Sequence, residues 1–174
     1  MSNRNISRTM AVLALSFAAT IAQAQPASPP ATTTVTIKGH KITIDYSSPS
    51  MRGRKIMGEL VPFGKVWRMG ANEATKITTD TDITLGTLKL PKGSYSLYCI
   101  PTADSWELIV NKQTGQSGMD YEQGQDFGRT KMTVKTMPNA EEKMKIMLTA
   151  GNGNKGLLAV AWEKTVAAVP IAVE

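Results

Sequence analysis

Residues 90–101 read LPKGSYSLYCIP, a turn, a strand and a stop in succession. Leu90-Pro91-Lys92-Gly93 supplies the turn, because Pro presets one backbone angle and Gly accepts angles that other residues avoid. Residues 94–100 then alternate, which puts Tyr95, Leu97 and Cys99 on one face of a strand. Pro101 closes it, since proline lacks the N–H that a sheet ladder needs. The same grammar runs outward in both directions. Upstream, residues 75–79 and 82–88 are short strands about a turn at Thr79-Asp80-Thr81, and Ile42, Ile44 and Tyr46 alternate with Lys41, Thr43 and Asp45. Val35 and Ile37 begin the pattern. Downstream, Trp106, Leu108 and Val110 alternate, as do Met132 and Val134, then Met144, Ile146 and Leu148. Gly151-Asn152-Gly153-Asn154 is a turn, and residues 156–162 and 165–173 read as a terminal hairpin over Glu163-Lys164. Roughly nine or ten short strands with no helical period predict an all-β chain. The architecture expected is an antiparallel β-sandwich with Greek-key or jelly-roll-like connections, and one long irregular crossover.

The first 24 residues stand outside this pattern. Arg4 and Arg8 give a positive start, residues 10–21 are a short apolar run, and Ala22-Gln23-Ala24 offers small residues for cleavage before Gln25. The run has about a dozen residues, short of the ~18 or more of a membrane span. A signal peptide over residues 1–24 is expected, with a periplasmic or secreted product and no membrane anchor after cleavage. No cysteine follows the cleavage point to carry a lipid. Residues 25–34, QPASPPATTT, read as a flexible linker, and residues 35–174 as a single β-sandwich domain.

Composition excludes several function classes. Cleavage takes the formal charge from +6 to +4, and the lysines are scattered along strands. Nucleic-acid binding wants a basic stripe with interleaved aromatics, and none is present. Cys99 is the single cysteine, so no intramolecular disulfide forms, and its apolar strand face marks it as a core thiol. His40 is the single histidine and lies in a Lys-Gly-His-Lys turn; one His and one Cys rule out the common all-His/Cys zinc sites. No metal site and no cofactor are expected.

Residues 46–75, YSSPSMRGRKIMGELVPFGKVWRMGANEAT, break the alternation. Arg52, Arg54 and Lys55 place three cations in four residues of a Gly-broken loop, and Arg grips carboxylate or phosphate with two parallel hydrogen bonds. Trp67 beside Arg68 offers an aromatic surface with a cation. Gly70-Ala71-Asn72-Glu73-Ala74 is a small-residue loop that lets backbone approach closely. Two roles fit these residues. An Arg54–Glu73 or Arg68–Glu73 ion pair would be an architectural clasp. Alternatively Arg54, Trp67, Arg68, Asn72 and Glu73 form a ligand site, with the arginines on an anion, Trp67 stacking, and Asn72 and Glu73 orienting hydroxyls. Glu73 is also the candidate general base of a hydrolase, with Asp45 as a second acid. No phosphate loop, nucleophile elbow, HExxH or paired-carboxylate motif occurs. Residues 113–129, QTGQSGMDYEQGQDFGR, form a long polar loop whose acids are spaced too loosely for an EF-hand; it is either a surface loop or a lid over a site.

GRKIMGELVPFGKVWRMGANEATKI at 53–77, LPKGSYSLYCIP at 90–101 and WELIVNK at 106–112 closely resemble a bacterial exported family called domain of unknown function 2911. The family pattern reads like GRxIxGxLVPxGxVWRxGANEAT, then LPAGTYSLxxIP, then a W and an N-K ending. The similarity covers about residues 42–135 and continues more weakly through Ala161-Trp162-Glu163. The family often has Arg where this chain has Ser48, and Trp-Gly where it has Ser117-Gly118, so a shared site would differ here. The resemblance implies export and a β-rich fold, and no activity. The reading reached is an exported, non-enzymatic binding module for a small anionic or sugar ligand or a cell-envelope protein. The alternatives are the Glu73 hydrolase and a purely structural or assembly module.

Overall fold

The computed structural model describes residues 28–174; the expected signal peptide and residues 25–27 of the expected linker lie outside them. Nine strands follow in order: β1 (Pro30–Ile37), β2 (His40–Ser47), β3 (Thr75–Thr79), β4 (Ile83–Leu85), β5 (Leu88–Leu90), β6 (Gly93–Pro101), β7 (Ser105–Asn111), β8 (Asp126–Ala150) and β9 (Lys155–Val173). They form one antiparallel sheet in the order β1-β2-β3-β6-β7-β8-β9-β4-β5. The crossing in this order is made by the β4–β5 hairpin, which leaves β3, pairs with the end of β9, and returns to start β6 beside β3.

The sheet folds over its own core. The Leu148 N–H of β8 donates to Thr33 Oγ1 of β1 (3.4 Å), and the Ile146 N–H donates to the Tyr46 hydroxyl of β2 (3.2 Å). One apolar cluster is enclosed, with Ile44 and Ile77 from one side, Leu108 and Val110 from the middle, and Val160 and Trp162 from β9, all buried. The expected β-sandwich is therefore a single folded sheet. Alternation drives it: in β6, Leu97 and Cys99 join the core, while Tyr98 is buried on the opposite face.

Four boundaries differ from the sequence expectation. β1 begins at Pro30, so residues 30–34 of the expected linker are strand. β-Branched threonines suit a pleated surface, and they pair across it: Thr34 and Thr43 hydroxyls lie 3.1 Å apart, and Thr32 Oγ1 donates to Asp45 Oδ1 at 2.9 Å. Residues 82–88 are not one strand, because Gly86 (φ +60°) turns the chain between β4 and β5. Residues 131–135 and 143–149 are parts of one long β8, and the expected terminal hairpin is one long β9. Glu163-Lys164 does not reverse the chain; Glu163 takes φ +54°, and the β8–β9 register shifts there, so both strands bend and continue.

Residues 48–74 contain no strand and are laced to the sheet by isolated backbone pairings. The Trp67 N–H donates to the Cys99 carbonyl (2.7 Å), and the Cys99 N–H donates back (2.9 Å). The Met144 N–H donates to the Pro49 carbonyl (2.9 Å), and the Met51 N–H to the Glu142 carbonyl (2.8 Å). The irregular segment is thus tied to β6 and to the distal half of β8.

Candidate functional site

A cavity of about 580 Å³ opens between this irregular segment, β6, β9 and the loop before β8. That volume lies within the range of small-molecule sites. Trp67 and Trp162 stack on its wall, with ring centroids 6.0 Å apart and planes 18° from parallel, and Trp106 meets Trp67 edge-on at 5.7 Å. Trp162 is buried, and its Nε1–H donates to the Glu142 carbonyl (3.3 Å). Trp67 is held from behind by the backbone pairing with Cys99, which leaves its ring half-buried between the core and the cavity.

The charged side chains on the wall are Arg54 and Arg68, with no Asp or Glu among the lining residues. The ion pairs with Glu73 considered from the sequence are not formed; among the described residues neither arginine pairs with any carboxylate. Backbone carbonyls hold them instead. Arg54 donates from Nε to the Met51 carbonyl (2.9 Å) and from Nη2 to the Ser50 carbonyl (2.8 Å). Arg68 donates from Nε to the Gly70 carbonyl (3.3 Å), which orients a guanidinium whose Nη atoms have no partner among the described residues. Gly118 makes room for it: a Cβ there would lie 2.6 Å from Arg68 Cδ. Orientation by carbonyls without neutralisation leaves both cations able to receive an anion.

Tyr98 and Tyr121 form a polar corner of the same cavity, with ring centroids 5.0 Å apart. The Tyr98 hydroxyl accepts from Gln116 Nε2 (3.1 Å); burial, opposed by that bond and aided by Asp120, raises its pKa. The Tyr121 hydroxyl donates to Asp126 Oδ2 (2.8 Å) and accepts from Arg129 Nη2 (3.1 Å). Burial first, then the Asp126 carboxylate, push Tyr121 up to about 12. Arg129 also bonds Asp126 through Nε (3.1 Å) and Nη2 (2.8 Å) and Glu107 through Nη1 (3.0 Å), and the Asp126 bond leads in raising its pKa.

Asn72 and Glu73 lie elsewhere. Asn72 (φ +58°) donates from Nδ2 to the Ser28 carbonyl and Ser47 Oγ, both at 3.3 Å, and its own carbonyl accepts from the Gly118 N–H (2.9 Å). Thr75 Oγ1 donates to the Met69 carbonyl (2.8 Å) and closes the same loop. Glu73 is exposed on a separate recess of about 230 Å³ with Asp45 and Lys76, where Asp45 Oδ2 sits 3.3 Å from Lys76 Nζ. The small-residue loop is thus a clasp between β2 and the loop before β8. Sequence reasoning missed Tyr98, Tyr121, Trp162 and Met119. The signal for Tyr98 was present, since a tyrosine opposite Leu97 and Cys99 on a strand buried on both faces needs a polar outlet for its hydroxyl. Gly118, Met119 and Tyr121 place the long polar loop on the cavity wall.

Ser48, where the resembling family often has Arg, is buried beside the cavity-lining Pro49 and donates from Oγ to the Met144 carbonyl (2.7 Å). A third recess of about 530 Å³ lies beside Glu107, Arg129 and Lys131 on the sheet. Among the described residues no group of three or more His, Cys, Asp or Glu side chains is placed to hold a metal ion, and no helix is long and apolar enough to cross a membrane. The model of one family, described as protein of unknown function (DUF2911), matches residues 28–171. Neither the curated proteins nor the solved structures yield a match.

Proposed function

The chain belongs to the family of proteins of unknown function DUF2911, and we propose from the geometry of its cavity that it is a non-enzymatic module that binds a small ligand. One observation carries this reading: two arginines with no carboxylate partner among the described residues and the Trp67–Trp162 stack face one cavity. Arg54, Trp67 and Arg68 are its contacts from the central segment, joined by Tyr98, Tyr121 and Trp162. The hydrolase reading has less support, because Glu73 stands on the other recess and the cavity wall offers no carboxylate to act as base. Export to the periplasm or outside rests on the residue pattern of 1–24 and is tested separately, by whether the mature chain recovered from its host begins at Gln25.

The test is a thermal-shift screen of residues 25–174 against sugars, organic acids, phosphates, short peptides and divalent metals. A ligand at a hundred times its dissociation constant adds about 2.7 kcal/mol, which is several degrees for a domain of this size. Trp67→Phe and Arg68→Gln, each folded, are expected to abolish or weaken a true hit. Glu73→Gln is expected to leave it unchanged. A hit that survives the first two and is lost with Glu73→Gln moves the site to the second recess.

A further inference from the structure

We infer that the ligand of this cavity is an amphipathic anion: an apolar body carrying one carboxylate, phosphate or sulfate head. The inference rests on the reading of the cavity as the binding site and names the class of molecule it takes. Three observations converge on it.

The first is charge. The wall carries Arg54 and Arg68 and no acid, so a negative head is drawn to the guanidinium side, away from the Tyr98–Tyr121 corner where Asp120 and Asp126 act. The second is the mouth. Leu60 (46% exposed), Val66 (40%) and Met119 (75%) line the cavity and stand open to solvent, with Phe63 (44%) on the same turn as Leu60 and Val66. Large apolar side chains gathered around an opening leave water-facing surface that an apolar ligand body would cover. Met adapts to varied apolar shapes, and Met119 is the most exposed of the four. The third is the absence of sugar chemistry on the wall. A neutral sugar is held by side chains that fix its hydroxyls, and the two candidates for that work, Asn72 and Glu73, do not line the cavity. The Tyr98 and Tyr121 hydroxyls at its corner are already engaged, by Gln116 and by Asp126 with Arg129, and do not take over that work. The head therefore lies against Arg68 and Arg54, the body runs over the Trp67–Trp162 stack, and its far end rests on Leu60, Val66 and Met119.

The experiment uses the chain from Gln25 to Glu174, titrated below micelle-forming concentrations with octanoate, decanoate and dodecanoate. The dodecyl sulfate, dodecyl phosphate, N-methyl dodecanamide and dodecylamine twins follow, with maltose as the neutral hydroxylated probe. Tryptophan fluorescence and calorimetry give the affinities. The expected result is saturable binding of the anions, tightening roughly three- to fourfold per added methylene. Arg68→Gln should weaken the anions by about tenfold to a hundredfold and leave the neutral amide unmoved. Leu60→Ser with Met119→Ser should flatten the dependence on chain length. Lys145→Gln, on the outer face of β8, should change nothing. The ranking of the three heads names the anion. Equal binding of the amide or the amine overturns the ligand class, as does anion binding indifferent to Arg68→Gln. Maltose binding that Trp67→Phe abolishes, with the anions silent, overturns the class and leaves the cavity as the site. Silence from every probe overturns both.

Discussion

At the scale of single residues, Arg129 shows how a cation is spent on structure, and Arg54 and Arg68 show the contrast. Arg129 binds Asp126, Glu107 and Tyr121 together, with Asp126 largely buried and Glu107 partly exposed. Arg129→Ala would strand Asp126 beside a phenol. The loss should be about 2 kcal/mol in urea unfolding, between the ~0–1 of a surface pair and the 3–5 of a broken buried one. Arg129→Lys should recover little of it, since one ammonium cannot bond Asp126 from two nitrogens while reaching Glu107. Tyr121 adds a pH dependence. Its folded pKa is raised from 10.0 to about 12, so its neutral form favours the fold. That contribution is complete below pH 10 and is lost as the pH rises through about 12. Stability measured across this window should fall, and Tyr121→Phe should flatten the fall without removing it, because Tyr95 and Tyr98 are shifted in the same direction. Arg54, Trp67 and Arg68 were legible as candidates because they crowd one irregular segment. Trp162 was not, because residues far apart in the chain meet only through the strand order; Tyr98 showed the need for a polar outlet but not the cavity beside it.

At the scale of elements, turns were legible where glycine and asparagine cluster, as at residues 151–154, while the turn at the lone Gly86 and the bends within strands were not. The β8–β9 pair bends through register shifts whose residues carry no glycine, and Glu163 takes its left-handed angle without one. What holds it is a bond to the irregular segment: Glu163 Oε2 accepts the Met57 N–H at 2.9 Å, and Met57 itself is buried. The same side chain therefore serves the bulge and the cavity wall nearby, where Val61 pairs with Met57. Glu163→Ala should leave β9 intact and deprive the Met57 N–H of its acceptor, at about 1–3 kcal/mol. Amide exchange checks it directly. The Met57 amide should become fast in the variant, while those of β6 and β7 keep their protection; unchanged exchange at Met57 would mean another acceptor takes over.

At the scale of the whole molecule, one sheet around one core leaves no part to melt alone. β1 through Thr33 and β2 through Tyr46 are joined to β8, and the irregular segment is bonded to β6 and β8, so one end of the sheet order is tied to strands far along it. Far-ultraviolet and tryptophan signals should therefore lose structure in a single coincident transition. The all-β class was legible because alternation is local; the folding of a single sheet onto itself was not, because it depends on pairings between residues a hundred positions apart. Cys99 lies in the core that the sheet encloses. Its side chain has no exposed surface, burial raises its thiol well above the ordinary range, and its backbone is clamped to Trp67. A disulfide reagent needs the thiolate and a path to it, and the folded molecule denies both. The single thiol is thus a chemical clock for opening: its labelling rate in native buffer should follow the population of the unfolded chain, and a ligand that fills the neighbouring cavity should slow the clock by the factor it adds to stability.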